Sequence, residues 1–266
     1  MLRLRVLLLS LPFLLLSACS EKPDPYVERP VEDIYNDAMD LIERRYYVKA
    51  ARQFEEVERQ HPYSAWATKA QLMAAFGYYQ ANKYEDAISG LDRFIELHPS
   101  HRDAPYAYYL KGLVYYEQIA DVGRDQEITD RALRALDEVV RRFPDSSYAR
   151  DARLKIDLTR NHLAGKEMEI GRYYLRQGQY VAAINRFKSV IDEYQTTEQV
   201  PEALLRLTEA YLSLGVRDEA QAAAAVLGHN YPGSDWYREA YALLTINGQA
   251  NRNEGKSWLG RAFSFF

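Results

Sequence analysis

The chain has 266 residues, 47% hydrophobic and 27% charged, which is ample material for a folded core. Its formal charge of −4 becomes −6 once the two positive charges of Arg3 and Arg5 are set aside, and that acidic balance argues against nucleic acid as a partner. The compositional outlier is tyrosine, at 22, a side chain with a large apolar body and a polar tip that suits cores and interfaces alike.

The first element is a signal. Arg3 and Arg5 form a positive start, and Val6 to Leu16 form an apolar run too short to span a bilayer and followed by no stop-transfer pattern. Leu16-Ser17-Ala18-Cys19 resembles a bacterial lipobox, in which cleavage precedes the cysteine and the thiol carries lipid. Ser17 and Ala18 are small, as a peptidase pocket requires, and Cys19 is the single cysteine of the chain. Lipidation there would leave no thiol for a disulfide, a zinc ligand or a nucleophile. Several acyl chains on one cysteine make a stable anchor, so the mature protein is expected on a membrane face without crossing it. Ser20 follows instead of the aspartate of inner-membrane retention, which implies the outer membrane, periplasmic face. A periplasmic address weighs against ATP-driven chemistry. Residues 20–30, polar with three prolines, read as an extended tether.

From Val31 onward the pattern is helical and repetitive. Five segments carry an alanine, an apolar residue four on and another three further: Ala50-Phe54-Val57, Ala87-Leu91-Phe94, Ala132-Leu136-Val139, Ala183-Phe187-Val190 and Ala220-Ala224-Leu227. Those spacings place all three side chains on one helix face. Pro62, Pro99, Pro144 and Pro232 fall five residues later in four units, where they end the helix; Gln195 takes that place in the fourth. Upstream of each alanine lies a partner helix, as in Ile34-Ala38-Leu41 and Leu72-Ala75-Tyr78, and the pairs Gly112-Tyr115 and Gly171-Tyr174 set a small residue where two helices approach. The arrangement resembles the tetratricopeptide repeat and implies an all-α, right-handed α-solenoid of five tetratricopeptide-like helix pairs over most of residues 31–234. The third unit is lengthened by a polar loop at Asp121 to Gln126, and extra length before the fourth predicts an additional helix near Ser147 to Leu163, with Ser146 and Ser147 as N-caps. The resulting division is 1–18 signal peptide, 19–30 lipidated cysteine and tether, 31–145 units one to three, 146–249 the extra helix with units four and five, and 250–266 an aromatic tail.

In such a solenoid the first helix of each unit lines the inner groove. Registering the units on their alanines gives Tyr35, Met39 and Ile42; Leu72, Phe76 and Tyr79; Tyr109, Leu113 and Tyr116; Met168, Arg172 and Leu175; and Leu205, Glu209 and Leu212. The groove is thus aromatic in three units and charged in the last two. The aromatic part, Tyr35, Met39, Leu72, Phe76, Tyr79, Tyr109 and Tyr116, reads as a site for an extended, aromatic-rich peptide.

Several strings are similar to one family: Ile34-Tyr35, Asp92-Arg93-Phe94-Ile95 before Pro99, Tyr109-Leu110-Lys111-Gly112 and Asn185-Arg186. With the lipobox, tether and five units, the chain resembles the BamD family, the lipoproteins of the outer-membrane β-barrel assembly machine. That resemblance implies docking onto the POTRA domain of the central barrel protein, contact with unfolded outer-membrane proteins at the first repeats, and association with other lipoproteins of the complex. It assigns Arg186 to the interface with the barrel protein, where a guanidinium can grip a carboxylate with two parallel bonds. The alternative for Arg186 is an intramolecular ion pair. Trp258, Phe263 and Phe266 extend past the repeats and suit either a partner or lipid anchor or a frayed end.

No catalytic site, cofactor site or metal site is expected. His61 and His98 hold the same place before the closing proline, and His98 with His101 lacks a third ligand. Glu55-Glu56 and Arg141-Arg142 read as solvated helix faces. Two rival functions share the anchor: a pilotin-like lipoprotein escorting secretin subunits, and a lipid-anchored cell-wall enzyme, for which no carboxylate pair or serine site is visible.

Overall fold

The computed structural model describes residues 28–255. Among the described residues there are eleven helices: α1 (Val31–Glu43), α2 (Tyr47–Gln60), α3 (Ala65–Gln80), α4 (Tyr84–Leu97), α5 (Ala104–Tyr116), α6 (Glu127–Arg142), α7 (Ser147–Arg176), α8 (Tyr180–Glu193), α9 (Val200–Ser213), α10 (Arg217–Asn230) and α11 (Asp235–Gly255). The first ten pair in chain order into five units, and every helix packs on the next. The first helices also touch one another from unit to unit, α1 on α3, α3 on α5, α5 on α7, α7 on α9 and α9 on α11. The result is the expected all-α, tetratricopeptide-like solenoid. None of the described helices is long and apolar enough to cross a membrane.

The repeated triplets form the spine of this core. Ala50, Phe54, Val57, Ala87, Leu91, Phe94, Ala132, Leu136, Val139, Ala183, Phe187 and Val190 are fully buried, as are Ala220 and Leu227, with Ala224 nearly so. Burial of an aromatic or aliphatic side chain contributes about 1.5–3 kcal/mol, so these positions carry the unit. The glycines of the partner helices fit against them. A Cβ on Gly112 would meet Leu136 at 2.8 Å, and one on Gly171 would meet the Phe187 ring at 2.4 Å. Each second helix ends on a residue of extended φ (His61, His98, Phe143, Tyr194 and Tyr231). Tyr194 does so with Gln195 after it, so proline reinforces this stop but is not required for it.

Two elements differ from expectation. The additional helix does not stop near Leu163: α7 runs unbroken for 30 residues, capped by the Ser146 hydroxyl accepting from the Ala149 N–H. It serves two units. Ala152 and Ile156 pack with Leu136 and Val139, whereas Ala164 and Met168 pack with Ala183 and Phe187. Continuity follows because both halves bury a face and no proline intervenes. Beyond the fifth unit, α11 continues the stack and crosses the boundary drawn at residue 249. Ser234 caps it by accepting from the Tyr237 N–H, Ala240 is fully buried, and Trp236 and Tyr237 pack on the last core cluster. It covers the apolar flank that a terminal repeat would expose. Cys19 and the tail residues Trp258, Phe263 and Phe266 lie outside the described residues.

Candidate functional site

The first helices carry the groove positions, and the structure ties those positions together across units. Tyr35 on α1 packs on Trp66 of α3, ring centres 4.8 Å apart, and on Phe54 at 5.2 Å. Tyr79 on α3 donates its hydroxyl to Glu117 at the end of α5. Tyr109 on α5 donates to Asp151 of α7 and lies 5.3 Å from the Tyr148 ring. Arg172 on α7 donates to Glu202 of α9 at 3.0 Å, and Arg206 on α9 stands over Trp236 of α11 at 5.9 Å. Each junction between first helices therefore has its own polar or aromatic bridge, phenolic in the first three units and cationic in the last two. That change of chemistry follows the aromatic-to-charged change in the sequence. The carboxylates Glu117, Asp151 and Glu202 were missed by sequence reasoning. Their signal is an acid about one repeat beyond its donor, at separations of 38, 42 and 30 residues.

These bridges move proton equilibria. Burial first, then hydrogen bonding to Glu117 and Asp151, raises Tyr79 and Tyr109 above the ordinary tyrosine value. Tyr106 is pushed up to about 12 by burial and by Tyr148, and Tyr78 to about 12 by burial and its bond to Glu55. Tyr78, Tyr79 and Tyr109 therefore stay neutral hydrogen-bond donors near neutral pH.

The groove assignment needs correction at three positions. Leu72 is only 7% exposed and belongs to the core with Ala75, Leu91 and Phe94. Met168 and Leu205 are fully buried. A period of 3.6 rotates the groove line into the core wherever the neighbouring helix lies close. Tyr35, Met39, Phe76, Tyr79, Tyr109 and Tyr116 are half-buried, so each keeps a face toward solvent. Phe76 and Tyr79 lie together, ring centres 6.4 Å apart, and Tyr116 stacks under Lys155 at 4.9 Å. In the charged half, Leu175, Glu209 and Leu212 line a depression of about 450 Å³ with Tyr180, Ser213 and Leu243. Sequence register found three of its six lining residues.

Arg186 lies on α8 beside a second depression of about 280 Å³, lined also by Tyr174, Ala182, Asn185 and Ser189. One nitrogen of its guanidinium donates to Glu167 at 3.1 Å, and the side chain remains 43% exposed. The intramolecular pair therefore exists, but it engages one edge of a fork that has five donors.

The histidines have structural surroundings. The ring Nε2 of His61 lies 2.7 Å from the Arg29 carbonyl, that of His98 lies 3.1 Å from Gln71 Oε1, and His101 faces Asp103. Among the described residues no group of three or more His, Cys, Asp or Glu side chains is placed to hold a metal ion. Glu55 and Glu56 are not simply solvated: Glu55 accepts from Tyr78 and Glu56 from Arg59 and Gln60. Arg142 likewise stands over Tyr108 and donates to Glu138.

A stack of five helix pairs whose first helices touch from unit to unit defines a tetratricopeptide-like solenoid. The sequence profile described as YfiO, outer membrane lipoprotein, matches residues 27–227. A relative from Caulobacter vibrioides is 53% identical over 84% of this chain and 73% of its own length, and one from Rickettsia prowazekii is 46% identical over 87% and 92%. A third, from Neisseria meningitidis, is 35% identical over 79% and 83%. All three carry the name outer membrane protein assembly factor BamD. Among solved structures the chain is similar to a tetratricopeptide-repeat protein of Thermus thermophilus, at 20% identity and a TM-score of 0.38 over 82% of this chain and 100% of that one. The chain belongs to the BamD family of outer membrane lipoproteins.

Proposed function

We propose that this protein is the lipid-anchored scaffold of an outer-membrane β-barrel assembly machine. The observation that carries the reading is family membership, at 53% identity to an assembly factor over most of the chain. Cys19 carries the acyl chains, and the tether of residues 20–30 holds the solenoid at the periplasmic face of the outer membrane. Units one to three present Tyr35, Met39, Phe76, Tyr79, Tyr109 and Tyr116 to extended segments of unfolded outer-membrane proteins. Half-burial supports this role, because each of these side chains is held by its neighbours yet keeps apolar surface toward solvent. The part after residue 146 docks the POTRA region of the central barrel protein, with Arg186 as one contact, and other lipoproteins of the complex join there. The free edge of Arg186 suits a partner carboxylate, and Glu167 holds the guanidinium in place beforehand. The protein works by binding and positioning, with no catalytic residue, cofactor or metal in the reading.

A pull-down from detergent-solubilised membranes with the lipidated protein tests this, comparing wild type with Arg186→Glu. The large barrel protein with POTRA domains is expected with wild type and reduced at least about tenfold with the variant, since a reversed charge leaves a buried partner carboxylate opposed. Equal recovery by both keeps the machine and moves the contact away from Arg186. Recovery of a secretin in its place would favour a pilotin.

A further inference from the structure

The turn that closes unit one differs from the four that close the later units, both in chemistry and in what lies beside it. Two residues past the end of each second helix stands Tyr63 here, against Ser100, Asp145, Thr196 and Gly233 later in the chain. Tyr63 is 101% exposed, so its whole ring faces solvent. Pro62 and Ala65 beside it are exposed as well, and Lys69, one turn into α3, stands over the Trp66 ring at 5.5 Å. Leu97, which ends α4 on the same edge, is 55% exposed. The start of the described chain is fastened to this same turn. The Arg29 N–H donates to Gln60 Oε1 at 2.9 Å, and its carbonyl lies 2.7 Å from His61 Nε2. Tyr63 is two residues beyond His61, a span of at most about 7 Å. Residues 20–28 alone separate Cys19 from Arg29, a reach of at most about 35 Å. The opposite edge of the unit lies a further helix length away, about 21 Å for the 14 residues of α2. Its exposed aromatic, Tyr46, stands under Lys49 at 5.5 Å.

We infer that the turn at residues 61–65 is seated in the headgroup layer of the membrane that holds the anchor, with the Tyr63 ring at the boundary of the acyl chains. The inference rests on the reading that Cys19 is acylated, and it adds a second contact to that anchor. Tyrosine suits this depth, since its ring favours the less polar side and its hydroxyl the wet one. A short tether keeps the turn at high effective concentration near the bilayer, so one ring suffices where it would not hold a free protein. Attraction to anionic lipid is not the cause. Glu28, Glu32 and Asp33 are exposed near the turn, and Arg29 is paired with Asp37 at 2.7 Å. The contact is therefore aromatic, to a zwitterionic surface. A lipidated residue on a tether leaves the solenoid free to turn, and a second contact fixes which edge faces the bilayer.

The test uses the acylated full-length protein. Cys19 is the single cysteine, so an introduced one is the free thiol. A nitrobenzoxadiazole label is attached at Ala65→Cys, at Glu43→Cys on the opposite edge of unit one, and at Gly233→Cys on the turn that closes unit five, all exposed positions. Each protein is placed on phosphatidylcholine vesicles containing a lipid spin-labelled at its headgroup. The label at Ala65→Cys should be quenched strongly and the other two little, and the pattern should persist at about 0.5 M salt, where surface charge is screened. Adding Tyr63→Ser should lower quenching at position 65 to the level at position 233, with helicity unchanged because the ring is fully exposed, and Tyr63→Trp should retain it. Equal quenching at the three positions, stronger quenching at Glu43→Cys, no effect of Tyr63→Ser, or loss of the signal in salt overturns the inference. Flotation of the protein with the vesicles in any of those cases upholds the anchor by itself. Wild-type protein that does not float overturns both.

Discussion

At the scale of single residues, the packing of the repeat is decided at glycines, and two of them on α7 make opposite demands. Gly165 has only Val122 Cγ1 near a would-be Cβ, at 3.5 Å, an ordinary contact. Gly165→Ala should therefore stabilise the protein by about 0.5–1 kcal/mol, the helix-propensity gain over glycine. Gly171, six residues on, would drive its Cβ to 2.4 Å from Phe187, a ring fully buried and unable to withdraw. Gly171→Ala should destabilise by about 1–3 kcal/mol despite the same propensity gain. Urea unfolding of the two variants checks this, and equal signs would show that the α7–α8 contact is looser than described. Sequence placed Gly171 at a close approach through its spacing from Tyr174. It could not distinguish Gly165, because the difference lies in which side chain faces each glycine from another helix.

At the scale of elements, the turns inside the units share a device that the sequence pattern conceals. Arg45, Asn82, Gly178 and Gly215 all have positive φ, at 62°, 56°, 70° and 76°, and each stands five residues before its unit's alanine. Two glycines fit a left-handed turn without strain, and asparagine tolerates it, but arginine carries a Cβ there. Arg45→Gly should raise stability by about 1 kcal/mol, seen as a higher urea midpoint with unchanged slope. A lower midpoint would mean that the Arg45 side chain contributes more than its backbone costs. The third unit replaces this turn with the connection through Asp121 to Gln126. There the Gln126 amide donates to the carbonyls of Asp121, Val122 and Arg124, and Lys166 donates to Gly123. The sequence revealed the loop by its length and polarity. Its closure by one glutamine and one lysine depended on where α7 passes.

At the scale of the whole molecule, tyrosine contacts from one helix to another couple neighbouring units, and they make that coupling sensitive to alkaline pH. Tyr78 and Tyr106 are held at about 12 in the folded state, against an ordinary value of 10.0. A raised value in the fold means that the neutral phenol is favoured there, so the stabilisation is complete below about pH 10 and is lost as the pH rises through about 12. Tyr79 and Tyr109 act in the same direction. Helicity followed by circular dichroism alongside phenolate absorbance should therefore fall cooperatively over that window. Tyr106→Phe, which removes the titrating group and keeps the ring, should move the fall to higher pH. Unchanged helicity through the whole window would show that these phenols do not couple to folding.

The sequence by itself determined the class of the molecule. Period and spacing marked five buried triplets, and a helix has only one face on which residues spaced by four and three can meet, so Phe54, Leu91, Leu136, Phe187 and Leu227 had to be core. Strings such as Asn185-Arg186 also carried the family likeness. What only the tertiary structure decided is which groove positions keep a free face. Leu72, Met168 and Leu205 share the register of Phe76, Arg172 and Glu209 but are covered by a neighbouring helix. The continuity of α7, the capping role of α11 and the pairing of Tyr109 with Asp151 belong to the same category. Each depends on the angle and distance at which one helix crosses another. Those quantities arise from the fit of many side chains at once, and no local spacing along the chain encodes them.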